Sequence, residues 1–181
     1  MSKYLSIMGC IRGWCNKIMI NRSCCFTGHR RISKADMPLV LQRTEKYICL
    51  LIDQGVTHFY VGGALGYDTL VAELLFRLRD TEFPQIEVIL AYPFDGYMNC
   101  WTEKQRQKGV QLLSSYDKVV CISETDSKEA YLQRNRYLVE NAKYCVCYCN
   151  RNWGGTAYTV KYAKQGGLIL YNTAKSDDDI S

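Results

Sequence analysis

The stretch 59-FYVGGALGYDTLVAELL-75 decides the fold. An apolar, β-rich run from Phe59 to Val61 passes through Gly62, Gly63 and Gly66 into a segment where Leu70, Val71, Leu74, Leu75 and Leu78 recur at helical spacing. It reads as one strand, one loop and one helix, with Asp68 where a helix N-cap belongs. The glycines let the backbone approach a ligand closely. Even so, the loop has neither the GxGxxG spacing of dinucleotide folds nor the GxxxxGK spacing of triphosphate loops.

The same alternation runs along the chain from residue 23. Strands are expected over 23–27, 58–62, 87–91, 118–122, 144–149 and 167–171, and helices over 38–54, 68–79, 100–114, 128–141 and 156–164. In the first helix Leu39, Val40, Tyr47, Leu50 and Leu51 form the apolar stripe, with Arg43 its one polar member. Regular alternation implies βαβ crossovers. The fold class is therefore α/β, a Rossmann-like three-layer sandwich with a mostly parallel sheet of about six strands. Runs such as 119-VVCI-122 and 144-YCVCYC-149 are apolar throughout, as strands covered on both faces require. One domain is expected over 23–172, between an N-terminal extension (1–22) without an assigned role and an acidic tail (173–181).

Composition narrows the function. The 181 residues carry 23 Lys and Arg against 18 Asp and Glu, a net charge of +5. The basic residues are dispersed, clustering only at His29-Arg30-Arg31 and Arg134-Asn135-Arg136. That pattern suits a small anionic ligand better than a long phosphate backbone, so nucleic acid is the less favoured partner. The ten cysteines lie largely in apolar strand-like runs, as free thiols in a reducing, cytoplasmic compartment do. Cys145, Cys147 and Cys149 share one strand face at about 6.6 Å spacing. Without a paired Cys-x-x-Cys or a nearby His they read as core rather than a metal site. No cofactor is called for, no run is long enough to span a membrane, and a homo-oligomer is compatible with the sequence.

Ligands of doubly wound sheets bind at the carboxyl ends of the strands. The loops there hold Thr27, Gly28, His29 and Arg30; Gly62, Gly63, Ala64, Gly66 and Asp68; Tyr92 and Pro93; and Gly154, Gly155 and Thr156. Gly28 with Arg30 suits a phosphate or carboxylate, or else Gly28 simply permits a turn. Gly-Gly-Thr opening a helix is an anion site that Arg134 could face from the preceding helix. Asp68 is either a cap or an acceptor for ribose hydroxyls. Glu73, among Val71, Ala72, Leu74 and Leu75, is either an acid or base of raised pKa or the partner of an arginine. Aromatic residues, including Tyr97, Trp101 and Trp153, crowd the same loops and could stack on a base.

Taken in order, 24-CCFTGHR-30, 62-GGALGYDTLVAE-73, 90-LAYPF-94 and 133-QRNRYLVENAKYCVCYCNRNWGGTAYTVKYA-163 resemble the SLOG superfamily. That Rossmann-like group includes the Lonely Guy phosphoribohydrolases and DNA-processing protein A, and the resemblance is greatest to its YpsA-like branch. It implies a pocket for a nucleotide or nucleotide-derived ligand. In the Lonely Guy enzymes a helix Arg and a Glu of the glycine motif support N-glycosidic cleavage. Arg134 matches the Arg, but the Glu position falls on Thr159 or Lys161, so catalysis would pass to Glu73 with Asp68. Three functions follow in order: binding of a nucleotide-derived small molecule such as an ADP-ribose derivative, N-glycosidic hydrolysis of nucleoside monophosphates, and single-stranded nucleic-acid binding.

Overall fold

A computed structural model describes residues 18–174; most of the N-terminal extension and the tail from residue 175 lie outside the described residues. After a helical turn at 18–21, the elements run β1 (Ser23–Gly28), α1 (Met37–Asp53), β2 (His58–Val61), α2 (Tyr67–Thr81), β3 (Glu87–Tyr92), α3 (Glu103–Leu113), β4 (Lys118–Cys121), α4 (Lys128–Glu140), β5 (Tyr144–Tyr148), α5 (Gly154–Gln165) and β6 (Ile169–Asn172). The sheet has six strands in the order β4-β3-β2-β1-β5-β6. Every pairing is parallel.

Side chains alternate across the sheet and divide it into two apolar layers. Cys24 and Phe26 of β1, with Tyr144, Val146 and Tyr148 of β5, pack with Val40, Tyr47, Ile48, Leu51, Val71, Leu75 and Leu78 of α1 and α2. Cys25, Cys145 and Cys147 face the other way, against Leu138 and Val139 of α4 and Ala163 of α5. The strand cysteines are core residues, and all eight described cysteines are free thiols. Local chemistry sets several helix starts. Thr102 and Gln105 form a reciprocal capping box on α3, and the Ser127 hydroxyl accepts from the Ala130 N–H at 3.1 Å on α4.

Three expectations change. The buried stripe of α1 is Val40, Thr44, Tyr47, Ile48 and Leu51, while Leu39 and Leu50 are exposed. Thr44 is accommodated because its hydroxyl donates to Val40 O at 2.6 Å and lies 3.1 Å from Tyr67 Oη. Arg43 reaches out of the helix to donate to Thr173 O at 3.1 Å. The run 119-VVCI-122 is not covered on both faces. β4 is the sheet edge, Val119 is 46% exposed, and α3 beside it buries no residue fully. Finally, α2 begins one residue earlier, at Tyr67, with Gly66 as its N-cap, so Asp68 lies in the first turn rather than at the cap.

The order of the strands places the site. The chain starts at β1, steps outward through β2, β3 and β4, then returns to add β5 and β6 on the other side. The connections leaving β1 and β5 therefore diverge at the reversal point, where open parallel sheets hold their ligands. Gly28 ends β1 directly over Tyr67, which is fully buried, and a Cβ at residue 28 would run into the Tyr67 ring. Gly28→Ala is expected to cost about 1–3 kcal/mol through overpacking. Urea denaturation should show a lower midpoint at an unchanged m-value.

Candidate functional site

At the reversal point the loops after β1, β2 and β5, with one face of α4, enclose a cleft of about 370 Å³. Ten of the expected residues line it: Thr27, Gly28, His29, Arg30, Ala64, Asp68, Arg134, Gly154, Gly155 and Thr156. Phe26, Tyr131, Asn135, Leu138, Arg151 and Trp153 line it as well, although none of them is among the expected site residues. The signal for α4 was present, because 131, 134, 135 and 138 follow the i, i+3, i+4, i+7 spacing of one helix face.

A buried ion pair joins the two halves of the cleft. Arg134 on α4 is only 8% exposed and Asp68 on α2 only 5%. Arg134 Nη1 lies 3.6 Å from Asp68 Oδ2 and donates to the Gly62 carbonyl. Asp68 Oδ2 also accepts from the Ala64 N–H at 3.2 Å. Burial pushes the Asp68 carboxyl above its ordinary value, against the opposing pull of Arg134 and the Ala64 amide. Burial likewise lowers the Arg134 pKa, countered by Asp68. One polar atom of the pair is left over: Arg134 Nε is buried and has no hydrogen-bond partner among the described residues.

The glycines fall into two groups. A Cβ at Gly62 would strike the Arg134 guanidinium, one at Gly63 would stand 2.7 Å from Leu90 Cδ1, and one at Gly66 would meet the Arg30 backbone. Gly63 and Gly66 also have positive φ, +66° and +83°. The glycines of the 62–66 loop are thus explained by contacts inside the protein. Gly154 and Gly155 differ, since a Cβ at either meets nothing within 4 Å. Gly154 has φ +88°, but Gly155 has no positive φ and no internal neighbour to spare. Both open α5 and line the cleft, and the N-cap Trp153 gives the first N–H groups of the helix no capping side chain.

The electrostatics favour an anion. Arg30, Arg134 and Arg151 line the cleft, with Asp68 its one acid. Arg30 and Arg151 form no ion pair among the described residues. His29 Nε2 accepts from the Asn150 N–H at 3.2 Å, and the ring packs edge-on against Tyr148 at 5.7 Å. Burial and then the nearby Arg151 lower its pKa. The neutral ring with Nε2 as acceptor carries its hydrogen on Nδ1.

Other expected residues lie elsewhere. Glu73 is on the outer face of α2, half exposed, and pairs with Lys108 at 2.8 Å; its neighbours Val71, Ala72, Leu74 and Leu75 point inward instead. Tyr92 donates to Asp95 at 2.8 Å and stacks with Tyr97, and neither it nor Pro93 beside it lines the cleft. Thr159, one candidate for the missing Glu position, is buried and donates to Gly155 O at 2.9 Å.

A parallel sheet with a cationic cleft at its reversal point defines a Rossmann-like fold of the kind that binds nucleotides or nucleic acids. The chain belongs to the YspA SLOG family, whose model matches residues 26–168. It is 31% identical over 124 residues to a UPF0398 protein of Halalkalibacterium halodurans, covering 67% of this chain and 65% of the relative. To a UPF0398 protein of Shouchella clausii it is 28% identical over 116 residues, 62% of each. The match thus spans somewhat less than two thirds of these relatives. Among solved structures it is similar to DNA processing protein A from Helicobacter pylori, described for its single-stranded DNA binding mode. The TM-score is 0.59 at 16% identity, over 85% of this chain and 66% of that one. Among the described residues no helix is long and apolar enough to cross a membrane.

The buried pair gives a pH signature. Because the Asp68 carboxyl is raised in the folded chain, the folded state holds that proton more tightly than the unfolded state. The contribution of Asp68 to stability therefore falls as pH rises from the unfolded value, about 4, through the raised folded value, and is flat above both. Urea titrations at a series of pH values should show the stability of the wild type minus that of Asp68→Asn declining across that window and then levelling. A difference that grows with pH would mean that attraction to Arg134 outweighs the cost of burial.

Proposed function

We propose that the cleft binds a nucleotide or nucleotide-derived small molecule, such as an ADP-ribose derivative. Phosphate would sit on the N-terminus of α5, with Arg30 and Arg134 as counter-charges. Asp68, held by Ala64 and Arg134, would accept a hydrogen bond from a sugar hydroxyl. The observation that carries the reading is Gly155. It is a glycine with no internal reason to be one, at an uncapped helix start that opens into a cleft of three arginines. Membership of the YspA SLOG family supports it.

Hydrolysis of an N-glycosidic bond has less support. Of the proposed acid–base pair only Asp68 faces the cleft, and its Oδ2 is engaged by Ala64 and Arg134. Single-stranded nucleic acid is favoured by one observation, the exposed Trp153 ring beside Arg151. The likeness to a DNA processing protein A described for single-stranded DNA binding points the same way.

Gly155→Val separates binding from folding. A Cβ at residue 155 would enter open space, so the melting temperature without ligand should stay close to the wild-type value. Wild-type protein should gain melting temperature with ADP-ribose or with small molecules released from heat-denatured wild-type protein, and the variant should not. An equal gain in both proteins would remove the α5 phosphate site. Affinity for an oligonucleotide falling steeply with salt, with no response to small nucleotides, would move the assignment to nucleic acid.

A further inference from the structure

We propose that the ligand of this cleft carries an aromatic base, stacked on Trp153 and read along its edge by Asn135. The inference rests on the phosphate-binding reading above and narrows it to a nucleoside phosphate, excluding a bare sugar phosphate.

Trp153 is the N-cap of α5, immediately before the free N–H groups of Gly154 and Gly155. Its extended backbone (φ −137°, ψ 162°) departs from the helix at that point. The indole is 66% exposed, the most open of the large apolar side chains described. So large an apolar ring is seldom left this open without a partner. The Arg151 guanidinium lies 5.4 Å from the ring centre, a cation–π contact that holds the indole in place while leaving most of its surface open. A ligand whose phosphate caps α5 therefore has a flat aromatic platform next to it. Arg134, on the same cleft wall as Asn135, keeps one buried Nε without a hydrogen-bond partner among the described residues.

Asn135 supplies the second element. Its neighbours in sequence are committed: Arg134 to Gly62 and Asp68, and Arg136 to Tyr158 at 3.0 Å and Glu129 at 3.1 Å. The Asn135 amide lines the cleft, is partly buried and makes no hydrogen bond among the described residues. A side-chain amide offers a donor and an acceptor in one plane, the pattern that pairs with the edge of a base.

Calorimetric titration of the full chain with ribose 5-phosphate and with the four ribonucleoside 5′-monophosphates tests this. The wild type should prefer at least one nucleotide over ribose 5-phosphate by roughly tenfold or more, the range that stacking of one base supplies. Trp153→Ala should bring that ratio close to one and Trp153→Phe should restore most of it; the side chain is exposed, so neither change disturbs the core. Asn135→Ala should flatten the ranking among the four bases. A wild-type ratio near one, or a ratio unchanged by Trp153→Ala, would overturn the inference while leaving the phosphate site standing. Failure of every one of these ligands to bind would overturn both.

Discussion

The buried contact of Arg134 with Asp68 and the Gly62 carbonyl is the constraint on which the cleft depends. It ties α4, on one face of the sheet, to the start of α2 and the β2 loop on the other. Taking two charges out of water is costly, and the pKa of each partner moves in the direction that burial dictates. Replacing one partner leaves the other charge buried and unpaired, which costs more than the pair itself contributes. The pair is accordingly weak evidence for stability and stronger evidence for a fixed geometry. It sets where the guanidinium stands, how close the β2 loop may come, and which oxygen of Asp68 remains available to a ligand.

The rest of the site follows from strand order. Because β1 and β5 are neighbours and send their connections apart, a gap opens between the 27–30 loop and the start of α5. The parallel register Gly28↔Tyr148 brings the two loops level. His29, which lines the cleft, packs edge-on against Tyr148, which itself lies 6.1 Å from the buried Tyr67, so this wall of the cleft is tied to the core through aromatic contacts. The cationic cleft and its tie to the core are consequences of one topology.

Much of this was legible in the sequence, and the exceptions have physical causes. Period-2 and period-3.6 patterns located all six described strands and the five helices between them, with boundaries off by a few residues. The buried face of α1 was misjudged because hydrophobicity ranks Leu39 above Thr44. A hydroxyl that bonds back to its own helix and to Tyr67 can be buried, however, and sequence does not display that partner. The edge position of β4 was hidden because an apolar run such as VVCI does not say how many neighbours will cover it. Glu73 was misplaced because apolar neighbours in sequence are not neighbours in space, and on a helix they turn away from it. The opening glycines drew attention as a ligand loop, but Gly62, Gly63 and Gly66 each abut other parts of the protein, whereas the space beside Gly154 and Gly155 is open.

The cysteines of the two central strands have a further consequence. Cys24 on β1 and Cys145 and Cys147 on β5 are buried, and each thiol is held well above its ordinary pKa, Cys24 and Cys147 chiefly by burial and Cys145 first by its hydrogen bond with Cys25. Cys100 and Cys121 stand exposed at the periphery. Since the thiolate is the reactive form, an alkylating reagent meets two populations in one chain, a fast outer set and a central set that answers only when β1 and β5 separate. These are the strands whose parting would also dismantle the cleft. The chain thus carries an internal chemical clock for the opening of its own cleft.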